Sequence, residues 1–113
     1  MNAPRTEQSV GDWIAAARPA PPERLAERIV EQLGASSTGP AADTPEVCLG
    51  AAVSLLDELL ARESAGRESA LDLLTVDALV TYAFEAASAA VDRLRPRALD
   101  AMSRLATTGA PRT

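Results

Sequence analysis

Four polar side chains at helical steps, Asp77, Thr81, Glu85 and Ser88, are the residues whose types could most readily do chemistry. Two carboxylates and two hydroxyls along one line could hold a divalent cation, bind a small polar ligand or act as an acid–base pair. Their spacing limits those roles. Asp77 and Glu85 stand eight residues apart, which on a helix separates their Cα atoms by about 12 Å. One ion could bridge them only with a third carboxylate, from Asp57, Glu58 or Glu63 of a neighbouring segment. Carboxylate-bridged dimetal bundles also use Glu-x-x-His pairs, and this chain has no His. The same absence removes the commonest general base. The sequence therefore predicts no catalytic residue, no cofactor and no metal ligand. The line is read as the solvated or partner-facing strip of a helix. A carboxylate-lined pocket for a ligand or metal, or an enzyme site, is the alternative.

Arginine supplies a second constellation. Arg93, Arg95, Arg97, Arg104 and Arg112 fall in the last 21 residues and make up five of the eleven arginines. They could meet an acidic partner surface or a phosphate. With no Lys and a net charge of −5, a broad nucleic-acid footprint is not expected, because such binding rests on neutralising phosphates. Trp13, Tyr82 and Phe84 are the aromatic residues, and none interleaves with the arginines to stack bases. A nucleic-acid-associated regulator using the C-terminal arginines remains the third reading. Cys48 is the single cysteine and cannot form an internal disulfide, which fits a reducing compartment and a cytoplasmic protein. It sits on the apolar side of its segment with no His to activate it, so a small buried residue is expected rather than a reactive thiol.

The segment 76–88, VDALVTYAFEAAS, resembles a piece of the isoprenyl diphosphate synthase pattern, in which Asp-Ala-Leu precedes a Thr and an Ala-Phe-Glu. The likeness covers thirteen of 113 residues. The D-D-x-x-D metal motifs and the pyrophosphate-binding basic residues of that family are missing, so it carries no function across.

The elements that must position these groups are helical. Residues 70–91, ALDLLTVDALVTYAFEAASAAV, contain neither Gly nor Pro and are apolar nearly all round, the mark of a buried helix. Leu73, Val76, Val80, Phe84, Ala87 and Val91 recur at steps of three and four as its face, widened by Leu71, Leu74, Ala78, Leu79, Tyr82, Ala83 and Ala86. The stretch approaches a membrane span in length, but Asp72, Asp77, Glu85 and Asp92 punctuate it, and charges at mid-bilayer are costly. No membrane association is expected.

Elsewhere, Ser9 and Asp12 have capping-box spacing and open a short helix near 9–17, with Trp13 docking on the bundle. Pro22 or Glu23 opens a second helix that Gly34 ends in the left-handed conformation. Residues 35–44, ASSTGPAADT, read as a flexible loop. Thr44-Pro45-Glu46 is a cap, a Pro and an acid in helix-start order. The third helix carries two adjacent apolar rows: Cys48, Ala52, Leu55 and Leu59, then Leu49, Val53, Leu56 and Leu60. Glu58 and Arg62 are spaced to pair along it. Ser64-Ala65-Gly66 turns the chain, Ser69 and Asp72 are spaced as a second capping box, and Asp92 with Pro96 begins a last helix whose inner face is Leu94, Ala98, Met102 and Leu105.

The predicted fold is all-α: a compact antiparallel bundle of about four main helices, 22–33, 45–63, 68–91 and 93–106, plus a short N-terminal helix. A single domain spans 9–106, with flexible ends at 1–8 and 107–113. The function expected is a protein–protein interaction or self-association module, with a protein partner or a homodimer. Asp77, Thr81, Glu85, Arg93, Arg95 and Arg97 are the candidate partner-binding residues.

Overall fold

A computed structural model describes residues 8–62 and 66–108. The chain is all-α, with a long helix packed against three shorter ones. They are α1 (Val10–Ala16), α2 (Glu23–Leu33), α3 (Thr44–Arg62) and α4 (Arg67–Thr108). The Ser64–Ala65 turn, most of the N-terminal end, and the tail beyond Thr108 with Arg112 lie outside the described residues.

Local chemistry sets most of the boundaries. At α1 the Ser9 hydroxyl accepts from the Asp12 amide at 3.0 Å, and the Asp12 carboxylate accepts from the Ser9 amide at 3.0 Å. Two of the otherwise orphaned N–H groups of the first turn are thereby satisfied. Gly34 ends α2 at φ +55°, a region that glycine enters without a Cβ penalty. Residues 35–44 are more ordered than their composition suggests. They form two 3-10 turns, Gly34–Thr38 and Ala41–Asp43. The hydroxyls of Ser37 and Thr38 donate to the carbonyls of Gly34 and Ala35. The segment is stapled to the N-terminal strand of chain by Val10 N–H to Gly39 O and Ala41 N–H to Gln8 O, each 2.8 Å. Thr44 is already helical and wholly buried, and its hydroxyl donates back to Ala41 O at 2.7 Å rather than forward as a cap.

The core joins all four helices. Val10 and Ile14 of α1, Ile29 and Leu33 of α2, Cys48 and Ala52 of α3, and Leu79, Tyr82 and Ala83 of α4 form one cluster. Leu55 and Leu59 extend the buried row of α3. Trp13 packs against this cluster and meets Tyr82 edge-to-face, ring centroids 6.1 Å apart at 78°, a favoured aromatic geometry.

Two sequence expectations for α4 are corrected. The first concerns its face. The row turned inward is Asp72, Thr75, Leu79, Tyr82, Ala83 and Ala86, whereas Leu73, Phe84 and Val91 are 53%, 70% and 63% exposed. Both rows are apolar enough to be buried. The small side chains at Ala83 and Ala86 let neighbouring helices approach closely, which the Phe84 row would prevent. The second concerns its length. Instead of ending before Asp92, α4 runs unbroken for 42 residues with Pro96 inside it, a rise of about 63 Å. Pro96 costs the helix a hydrogen bond and a steric clash, about 3 kcal/mol. Its neighbours Arg, Leu, Ala and Met are strong helix formers, and no Gly interrupts 67–108. The molecule accordingly measures 75 × 36 × 23 Å.

Candidate functional site

The polar groups divide into one that is buried and several that are not. Asp72 is buried, and its two carboxylate oxygens accept from Arg28 Nε of α2 and Arg62 Nη2 of α3, both at 2.8 Å. Three helices are thus held through one side chain. Burial alone would push this carboxyl up, but the hydrogen bonds and charges of Arg62 and Arg28 outweigh it and hold the group below its ordinary value. Arg62 therefore serves Asp72 rather than the expected Glu58, and Asp72 serves the arginines rather than a capping box. A wheel drawn through Leu79 would have found this, because Asp72 lies on the same row seven residues earlier.

The expected partner-binding residues sit at the surface. Asp77, Thr81, Glu85 and Ser88 are all exposed along α4. The Thr81 hydroxyl donates to Asp77 O at 2.9 Å within the helix. Among the described residues no cluster of three or more His, Cys, Asp or Glu could hold a metal. Arg93, Arg95 and Arg97 are exposed on the last turns of α4 and form no ion pair among the described residues, while Arg104 pairs with Asp100 at 3.0 Å. Cys48 is buried, and desolvation pushes its thiol up to about 11, so it is an inert core group. Tyr82 is likewise raised, first by burial and then by the nearby Glu85 and Cys48.

What the elements bring together is apolar. Among the described residues thirteen large apolar side chains are exposed, and ten of them lie on two stripes. On α3 the stripe is Leu49, Val53, Leu56 and Leu60; on α4 it includes Leu73, Phe84, Val91, Leu94, Met102 and Leu105. Each stripe is rotated about 100° from its helix's buried row, in the same sense. In an antiparallel pair the same sense of rotation puts both on one side. Arg62 meets Asp72 at one end of the pair, and Pro45, Glu46 and Leu49 line a shallow groove with Ala83, Phe84 and Ala87 at the other. The result is an uncovered apolar face two helices wide, opposite the side where Gln32 of α2 reaches Ala51 O.

Beyond Ala90 the face continues on α4 alone. All residues from Val91 to Thr108 are exposed, a length of about 27 Å. Over this stretch the inward row changes character: Ala86 and Ala90 are followed by Arg93, Arg97 and Arg104. The apolar stripe does not change. Val80, Phe84, Ala87, Val91, Leu94, Ala98, Ala101 and Leu105 follow alternating steps of four and three, the heptad spacing of a coiled-coil seam. Pro96 lies almost diametrically opposite that seam, so its missing N–H is on the outer side.

Two further apolar features stand out. An apolar cleft of about 310 Å³ lies between α1 and α2 over Ile14, Ile29 and Leu33. It includes neither Asp77 nor Glu85. Within α4 an 18-residue stretch is long and apolar enough, by length and composition, to cross a membrane. Comparison of the chain with protein-family models, with curated proteins and with solved structures finds no match.

Proposed function

We propose that the protein is a small helical interaction module, of the protein–protein or self-association kind, working through the apolar face of α3 and α4. The observation that carries this reading is the seam of α4, which keeps heptad spacing for 26 residues from Val80 to Leu105 although none of the described residues covers its second half. Solvent exposure gives no reason for such regularity, and contiguous exposed apolar surface of this extent marks interaction sites. Helices owe most of their stability to tertiary packing of an apolar face, so a partner lying on the seam would stabilise this one. The reduced, buried Cys48 is compatible with a cytoplasmic setting. No catalytic role is proposed.

Accessibility in cells tests the reading. In a Cys48→Ala background, a cysteine replaces Leu94 on the seam or Ser103 on the opposite side of the same helix. A covered seam makes Leu94→Cys react with maleimide at least several-fold more slowly than Ser103→Cys. Equal rates would remove the proposal. The ligand-binding alternative is supported by the cleft between α1 and α2 alone. It predicts that an apolar probe raises the melting temperature and that Ala26→Trp, which fills the cleft, abolishes the rise.

A further inference from the structure

Resting on the interaction reading, we infer that the face is covered by a second copy of this chain, with the two α4 helices antiparallel and each projecting segment lying on the bundle of the other. Charge carries the choice of occupant. Residues 91–108 hold four Arg against two Asp, a net of +2, while residues 23–89 hold four Arg against twelve Asp and Glu, a net of −8. The basic end of one copy therefore complements the acidic body of another and repels a second basic end, which disfavours a parallel arrangement.

The side chains at the edges of the seam agree. In the projecting half Arg95 flanks it on one side, and Arg97 and Arg104 on the other. In the bundled half, α3 lies on the side corresponding to Arg97 and Arg104, with Glu46 exposed at its start. Antiparallel pairing brings like edges together. It sets Arg97 toward Glu46 of the second copy. Arg95 and Arg97, two of the residues that the sequence marks as partner-binding, thereby lie along the edges of one surface.

Register follows from the seam itself. Its midpoint lies between Asp92 and Arg93, so full overlap of all eight positions sets Val91 opposite Leu94, Phe84 opposite Ala101 and Val80 opposite Leu105. Every pair joins the two alternating classes of seam position, as antiparallel two-stranded packing requires. The arrangement is isologous, the commonest symmetry of soluble oligomers. It also buries Leu49 and Val53 of each α3 beneath the other copy's projecting helix.

The test uses the full chain. Light scattering of the purified protein should give twice its 11.8 kDa. Two charge-reversed variants, Arg97→Glu and Glu46→Arg, should each weaken association at least tenfold, their unchanged circular dichroism showing that they fold. Mixed together they should associate again, because each mixed pair has one native and one fully reversed set of contacts. Cysteines placed singly at Val91 and Leu94, with Cys48→Ala, should join to each other across a mixture faster than either joins to itself. A monomer at concentrations on the order of 100 μM overturns the inference. If Leu94→Cys is nevertheless protected in cells, another protein covers the face and the interaction reading survives; without that protection both fail. Sedimentation of a monomer with phosphatidylserine vesicles would assign the seam to a membrane surface instead. A dimer whose reversed variants do not recombine, or whose like cysteines join faster, is not antiparallel.

Discussion

The two halves of α4 are one helix with one uninterrupted apolar seam, yet the first half is built into a bundle and the second is not. The difference lies in another row. From Asp72 to Ala86 the side facing α1–α3 presents Leu79, Tyr82, Ala83 and Ala86, with Thr75 and Asp72 satisfied by hydrogen bonds. From Arg93 to Arg104 the same side presents arginine. A helix leaves its bundle where the row that would face the bundle becomes charged, whether or not the backbone carries a stop signal. Pro96 shows the converse, since a helix breaker without tertiary cause to turn leaves the helix intact.

Substitutions that give one half the chemistry of the other should separate these effects. The largest expected effect is Leu79→Asp, which puts a carboxylate without a partner at a fully buried position and should cost several kcal/mol or prevent folding, read by urea denaturation. Val80→Asp, one residue on and half-buried, should cost less. Next is Asp72→Asn, which leaves Arg28 and Arg62 facing a neutral amide. Allowing for the exposure of Arg62, the loss should be about 1–3 kcal/mol.

The same carboxylate makes the bundle acid-sensitive. Its folded pKa lies below its unfolded value. Its contribution is therefore fully present above the unfolded value of about 3.9 and disappears as the pH drops through the lower folded value. Melting temperatures of wild type and Asp72→Asn should converge below about pH 4. The smallest effect on folding belongs to Leu94→Asp in the projecting half. It should change the stability of the monomer by no more than about 0.5 kcal/mol while abolishing association. If it unfolds the chain as Leu79→Asp does, the two halves are not distinct.

Much of this architecture was legible in the sequence because it is written in single residues. Ser9 with Asp12, Gly34, and Pro45 with Glu46 mark helix ends through backbone groups they satisfy or conformations they permit, whereas Thr44 is the first helical residue rather than the cap its type suggests. Trp13 was expected on the core and is found there. The facing of α4 was harder to read. Two adjacent rows are both apolar, and hydrophobicity alone does not choose between Leu79 with Ala83 and Val80 with Phe84. Closeness of approach chooses, and that depends on the neighbouring helices. Asp72 was hidden for a related reason. Its partners are 44 residues earlier and 10 residues earlier in the chain, and short-range pairing rules point to Ser69 and Glu58 instead. Composition alone makes residues 35–44 a flexible loop, whereas the Ser37 and Thr38 hydroxyls turn back on nearby carbonyls and backbone hydrogen bonds tie the segment to Gln8 and Val10.

The single long helix also governs how the molecule rotates. Its amide N–H bonds point along the helix, and the helix runs with the 75 Å dimension, more than three times the 23 Å thickness. End-over-end tumbling is the slow rotation of such a rod, and spin about its length hardly reorients those bonds. Nitrogen-15 relaxation should therefore report a longer apparent correlation time for α4 than for amides set crosswise to it, even where α4 is no more rigid.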